Sequence, residues 1–281
     1  MRNQHREKVA EMTSDWGIRR AFKLPKDHNI RIGLVLGTGW GDALEIRDAQ
    51  EVSFKELPGF DFLGDLEGHA RSVVYGKIAN REVIALRGRV HVNEGHGESI
   101  INMVRLQTEM LFKTGVRTLI VTSAVGSLIP KLPVGSVAVV DSFISLFAGS
   151  MPGWVGEFRS PEDMLNERLN KLALRACSDA NLTSRLATHA MVRGPFFEGR
   201  KTDKKILKRL GAHVVGMSML PEACVASLYD VKVVGLGFVT NNDTEEHSHE
   251  ENVRRAKESQ EKLGALLTSL VYHIPPAATH V

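Results

Sequence analysis

Arg31 to Gly41 reads RIGLVLGTGWG. Arg31–Leu36 is a short, nearly unbroken apolar run that reads as a strand. The glycines that follow stop that strand in a tight turn, GTGWG (Gly37–Gly41). Glycine lets backbone N–H groups approach an anion closely, and Thr38 adds a hydroxyl donor. The turn is neither of the two common nucleotide loops. Gly-x-Gly-x-Gly is not Gly-x-Gly-x-x-Gly, and the Lys and Ser/Thr of a phosphate-binding P-loop are missing. A plain tight turn is the alternative reading. In α/β folds ligands bind at the carboxyl ends of strands, so every strand end becomes a candidate.

Working outward, Val73–Tyr75 and Glu82–Arg89 read as further strands. Glu98–Lys113 has apolar residues at Ile100, Ile101, Val104, Met110 and Leu111, the spacing of a helix, with Gly115 as its stop. Thr118–Thr122 is a β-branched strand followed by small residues, and Val134–Val140 is another strand. Asp163 is a candidate cap for a helix running to about Asp179. Then come a strand at Ala187–Val192, a helix at Thr202–Leu210, a strand at His213–Met217 and a helix from Pro221. A strand at Lys232–Thr240 and one long helix from about Glu250 close the chain. This alternation predicts an α/β fold, a single domain with a central mixed β-sheet flanked by helices. Residues 26–275 form that domain, residues 1–25 a peripheral segment and residues 276–281 a frayed tail. Gly149–Pro161, rich in Gly and Pro, reads as a surface loop.

The chain has 281 residues, 43% hydrophobic and 25% charged, which excludes a mostly disordered polymer. Its 25 glycines follow no period of three, which excludes a collagen-like chain. Lys and Arg total 36 against 33 Asp and Glu, a net charge of +3, with the basic residues spread along the chain. No nucleic-acid partner is expected from that distribution. No run of about 18 apolar residues is present, so no membrane partner is expected. The start, MRNQHREKVAEMTSDW, is charged and lacks the apolar core of a signal peptide. Cys177 and Cys224 belong to no zinc or disulfide spacing, and His247 and His249 lack the i, i+4 spacing of a helical metal pair. The expectation is a cytoplasmic protein without metal or cofactor.

Seven strand-end segments carry the polar chemistry, each with a structural alternative. In Arg87–His96 (RGRVHVNEGH), strand alternation aims Arg89, His91 and Asn93 the same way. That is a compact donor cluster for a tetrahedral oxyanion, or else a solvated strand face. GTGWG would add donors to it. His69, in Gly68–Arg71, is a further donor or an ordinary surface histidine. Ser123–Ser127 (SAVGS), small residues after a strand, permits close ligand approach to the backbone or close helix packing. In Gly194–Arg200 (GPFFEGR), Phe196 and Phe197 offer a stacking surface, and Glu198 an acceptor for ring N–H groups. Core packing with a carboxylate at a helix start explains that segment equally well. In Gly216–Glu222, Met217 sets an apolar surface beside the Ser218 hydroxyl, although Ser218 also suits a helix cap. Asn241 and Asp243, with His249 beyond them, can read a heterocycle edge or simply make a polar turn.

These segments, GLVLGTGWG, GHAR, RGRVHVNEGH, VTSAVGS, GPFFE, GMSMLPE and VTNND, occur in the order seen in the trimeric purine nucleoside phosphorylases, a family that includes methylthioadenosine phosphorylases. The chain resembles that family from about Arg31 to its C-terminal helix. The resemblance implies a homotrimer that cleaves the N-glycosidic bond of a purine nucleoside with inorganic phosphate as co-substrate. It assigns the phosphate to Thr38, His69, Arg89, His91, the Ala124 backbone and Ser218. The sugar falls to Asn93, Met217 and His249, and the base to Phe197, Glu198, Asn241 and Asp243. Asn241, Glu198 and His91 would carry the chemistry. Glu198 would accept from the N1–H of a 6-oxopurine, which favours inosine and guanosine. The alternatives are methylthioadenosine, for which Asp243 speaks, or methylthioinosine as substrate, and a nucleoside-binding member with weak or lost catalysis. The sequence departs from the family pattern at Asn93 in place of Tyr, at SAVGS in place of NAAGG, at Phe196, and in a shorter Asn241–His249 loop. Phe158 is the candidate for the phenylalanine that a neighbouring subunit supplies in that family.

Overall fold

All five residues of β1 (Ile32–Leu36) are buried, because the strand lies between two parallel neighbours in the middle of a sheet. The computed structural model describes residues 20–60, 71–95, 98–147, 151, 158–194, 198–199, 201–242 and 248–275, with Glu98 and His249 described in backbone only. After β1 come β2 (Arg47–Ser53), β3 (Ser72–Ile78), β4 (Arg81–Arg87), α1 (Glu98–Lys113), β5 (Thr118–Ser127) and β6 (Val137–Phe147). The chain continues through α2 (Glu167–Asp179), β7 (Ser184–Val192), α3 (Asp203–Arg209), β8 (Val214–Gly216), α4 (Leu220–Leu228), β9 (Lys232–Asn242), α5 (His249–Glu258) and α6 (Gln260–His273).

The nine strands form one sheet in the order β2-β3-β4-β1-β5-β8-β7-β6-β9. β5 also pairs with β9, so the last five strands close into a ring. Parallel and antiparallel pairings coexist, as expected of a mixed sheet. Alternate strand residues feed two cores. Val35, Ile84 and Leu86 pack with Met103, Val104 and Leu220 of α1 and α4 on one face. Leu34, Leu36 and Val83 pack with Leu169, Ala173, Leu263 and Leu267 of α2 and α6 on the other. Helices therefore cover both faces. Phe22 and Leu24 are buried in the first of these cores.

Several elements differ from the sequence expectation. β2 is an edge strand paired only with β3, and its exposed, charged stretch RDAQEVS carries no alternating apolar pattern. β5 runs on to Ser127, so SAVGS lies within the strand, paired with β9 over its whole length, and not in a turn after it. Asn166, not Asp163, caps α2, its side chain accepting from the Leu169 N–H at 3.1 Å, while Asp163 lies in a short 3-10 turn, Pro161–Met164. The long final helix is two helices separated at Ser259, which ends α5 and precedes α6.

Where β5 meets β9 the register slips. Val125 opposes Val239 but Gly126 opposes Asn241, so Thr240 is an extra residue in β9. Such a bulge re-aims the next side chain. Here it sets the Asn241 amide over Gly126, where a Cβ would lie 2.9 Å from Nδ2.

Candidate active site

Arg89 sits just past the end of β4, with its guanidinium 1% exposed. Its Nη1 donates to Glu222 Oε1 at 2.9 Å and its Nη2 to the Thr122 carbonyl. Glu222 is equally buried, in the first turn of α4. The guanidinium packs against the glycine turn so closely that a Cβ on Gly37 would stand 2.6 Å from Nη2 and 2.5 Å from the Thr122 oxygen. Only glycine fits there. The turn is pinned from its other end by Trp40, fully buried, whose indole N–H donates to the Ser123 carbonyl at 3.1 Å. Gly39 has φ +80 and packs directly on Ala256 of α5. β1, β4, β5 and α4 thus converge at Arg89. The Nε of Arg89 and Oε2 of Glu222 are buried without a partner.

Strand alternation predicts Arg89, His91 and Asn93 on one strand face. The structure ends β4 at Arg87 and places Asn93 in a 3-10 turn, Val92–Glu94, with His91 as its N-cap. Glu94 organises that turn. It accepts from the His91 N–H at 2.7 Å, lies 3.5 Å from His91 Nδ1 and pairs with Arg71 at 2.8 Å. Burial pushes the Glu94 carboxyl up, but hydrogen bonds from His91 and the charge of Arg71 outweigh it, so the group lies below the usual carboxylate range. Neither Glu94, nor Glu222, nor Arg71 was singled out from the sequence. All three stand inside the quoted motifs, and the one local signal is the spacing of Glu94 three residues after His91, the spacing of a capping box.

Gly194, two residues past β7, marks the next group. A Cβ there would lie 2.5 Å from the Met217 sulfur and 3.0 Å from Asn93 Nδ2. The two sugar candidates therefore meet across a glycine from a third segment. Ser218 is buried between β8 and α4, next to Met219 at φ +75, a backbone conformation that non-glycine residues seldom adopt. Left-handed residues of this kind cluster at functional sites. Ala124 is part-exposed inside β5, and Thr38 is part-exposed in the glycine turn.

Asn241 is buried, and the Thr240 hydroxyl donates to its Oδ1 at 3.1 Å, which leaves Nδ2 as the free end of the amide. Burial raises the carboxyl of Glu198, with Asp203 acting in the same direction and a backbone N–H and Lys204 acting against it. Phe158 is 92% exposed. His69, Phe196, Phe197, Asp243 and His247 lie outside the described residues, as does the His249 side chain.

Among the described residues no three His, Cys, Asp or Glu side chains gather as a metal site, and no helix is long and apolar enough to cross a membrane. Both cysteines are free thiols.

Residues 31–272 match the model of the phosphorylase superfamily. The chain is 31% identical to purine nucleoside phosphorylase of Mycobacterium bovis, over 85% of this chain and 88% of that one. It is 28% identical to the rat enzyme of the same name over 98% of both chains. Among solved structures, isoform 2 of purine nucleoside phosphorylase from Schistosoma mansoni, in complex with cytosine and ribose-1-phosphate, superposes with a TM-score of 0.81. That pair is 23% identical and covers 96% of this chain and 97% of that one, a likeness of fold. A complex of a Schistosoma mansoni purine nucleoside phosphorylase with inosine gives 0.81 at 21% identity, covering 96% and 97%. With the glycine turn, the buried arginine and the strand-end asparagine in place, the chain belongs to the purine nucleoside phosphorylases of the phosphorylase superfamily, pentosyltransferase enzymes.

Proposed function

We propose that this enzyme catalyses phosphorolysis of 6-oxopurine nucleosides, inosine and guanosine, to free base and ribose 1-phosphate. The observation that carries the reading is the Asn241 amide. Thr240 occupies its oxygen, so the Nδ2 donor is presented to a ligand. A leaving purine gathers negative charge as the C1′–N9 bond breaks, and a donor at N7 relieves it. Asn241 supplies that donor. Glu198, its carboxyl raised by burial, accepts from N1–H, a donor that inosine and guanosine present and adenosine does not.

At the other end, a phosphate oxygen attacks C1′ while the electrons of the glycosidic bond move onto the purine. The sugar passes through an oxocarbenium-like state, as in other glycosyl transfers. Arg89 supplies fixed positive charge, with its Nε–H as the open donor, and Thr38, Ser218, His69, His91 and the Ala124 backbone complete the anion site. Asn93 and Met217, held together at Gly194, line the sugar with His249. Phe197 stacks on the base. No covalent intermediate and no cofactor are needed.

The working form is a cytoplasmic homotrimer. Leu146 and Phe147 at the end of β6, Leu186 of β7 and Phe158 are large apolar side chains left exposed, the kind of surface that a second subunit covers. Light scattering tests the trimer. Release of hypoxanthine from inosine, with and without phosphate, tests the reaction. Asp243 favours adenine-type substrates, and release of adenine from methylthioadenosine in the same panel, with none of hypoxanthine, would replace the 6-oxopurine reading.

A further inference from the structure

We propose that Arg193 is a positioning residue that sets the sugar-binding edge of the site from outside it. The inference rests on the phosphorolysis reading above. Arg193 follows β7 and immediately precedes Gly194. Its Nη2 donates to the Gly95 carbonyl at 3.1 Å and, more weakly, to the Val92 carbonyl at 3.4 Å. Those two carbonyls bracket the 3-10 turn that carries Asn93 and follows His91. The partners lie 98 and 101 residues away in the chain, so this side chain joins two segments that no strand pairing joins.

The chemistry suits the task. Carbonyls at the end of a short helical turn have no intrahelical donor. A guanidinium offers several N–H groups in one rigid plane and serves two such acceptors at once, which an ammonium on a flexible stem does less well. Glu94 closes the turn internally through the His91 N–H, which shapes the turn but does not locate it. Arg193 locates it. The residue beside it is the glycine whose missing side chain admits Met217 and Asn93. One dipeptide therefore performs two operations. Gly194 opens the space, and Arg193 draws the Asn93 turn against it. The spacing between Asn93 and Met217 then depends on a side chain that touches neither sugar nor phosphate. Misplacement of a contact by about 1 Å costs on the order of a hundredfold in rate.

The test compares wild type with Arg193→Met, which keeps the apolar stem and removes the donors, and with Arg193→Lys. Isothermal calorimetry measures ribose 1-phosphate and hypoxanthine separately, beside kcat and KM for inosine. The expected result is a loss of about tenfold to a hundredfold in kcat/KM and a matching loss of ribose 1-phosphate affinity in Arg193→Met. Hypoxanthine, held by Glu198 and Asn241, should bind within about twofold of wild type, and Arg193→Lys should recover part of the loss. A general loss of structure would weaken both ligands together, and that outcome in both Met and Lys variants overturns the positioning role. So does an Arg193→Met variant that matches wild type for ribose 1-phosphate. A wild type that neither turns over inosine nor binds ribose 1-phosphate overturns the phosphorolysis reading, and this inference with it.

Discussion

Arg89 and Glu198 are ionisable side chains at the two proposed ends of the site, Arg89 fully buried at the phosphate end and Glu198 partly buried at the base end. Arg89 has its counter-charge built in. Glu222 lies 2.9 Å away, equally buried, and the Thr122 carbonyl takes a second donor. Glu198 is left with burial as its largest influence, and its carboxyl stands above the usual range. The charge at the phosphate end is thus balanced within the fold, while the carboxyl at the base end is set mainly by burial. A hydrogen-bonding site that lacks its ligand gives up stability to gain specificity. Losing a charge at the first end should therefore cost stability, and at the second, function.

Glu222→Ala breaks the contrast at its strongest point. It leaves the Arg89 cation buried and unpaired, and the expected loss of unfolding free energy is about 3–5 kcal/mol by urea denaturation. Replacing both partners, Arg89→Met with Glu222→Leu, should cost less stability than Glu222→Ala alone, while abolishing phosphorolysis. A Glu222→Ala loss below about 1 kcal/mol would mean that the pair does not hold this end together.

His189 shows a third way to bury an ionisable group. It is fully buried on β7, edge-on to Phe143, and a Cβ on Gly216 would stand 2.9 Å from its Nε2. Burial holds it neutral by lowering its pKa to about 4, against a weaker opposing backbone hydrogen bond. Because the folded pKa lies below the unfolded one, the unfolded chain takes up the proton first as the pH falls. Stability is complete above about pH 6.5 and is lost toward pH 4, by about 3 kcal/mol from this group. His189→Gln should flatten that part of the pH–stability curve, and an unchanged curve would refute the assignment.

Glu198→Ala sharpens the comparison from the base end. A hydrogen bond to a charged acceptor is worth about 1.5–3 kcal/mol, so kcat/KM for inosine should fall about tenfold or more. The thermal midpoint should hold or rise, since a partly buried carboxyl that burial disfavours is removed. Activity within about tenfold of wild type would show that Glu198 does not read the base. In the wild type, the acid limb of kcat/KM should lie above the range of an ordinary carboxylate. The smallest effect is a control within the glycine turn. A Cβ on Gly41 meets nothing within 4 Å, and Gly41→Ala should change stability by less than about 0.5 kcal/mol. Gly37→Ala should disable the phosphate end, because the new methyl would occupy space held by Arg89 and Thr122.

The sequence made legible those parts of the fold where local pattern and tertiary environment agree. β1 is apolar because it is covered on both faces, and the predicted limits of α1 match Glu98–Lys113 because its apolar spacing faces a core. β2 was invisible because an edge strand exposed along most of its length has no reason to alternate. The bulge at Thr240 was invisible too, since only the pairing of β5 with β9 reveals the extra residue. Within the site, the motifs contained the right residues but not their bonds. Arg89 could be named as an anion donor, whereas its pairing with Glu222, 133 residues away, depends on α4 reaching the end of β4. The Glu94 pair with Arg71 and the bonds of Arg193 escaped for the same reason, as those partners become neighbours only in three dimensions.

The most direct test of the central claim is purine release from inosine as phosphate is varied. Hypoxanthine should appear in proportion to ribose 1-phosphate, at a rate that saturates in phosphate and vanishes without it. Hypoxanthine released at the same rate in the absence of phosphate would contradict it.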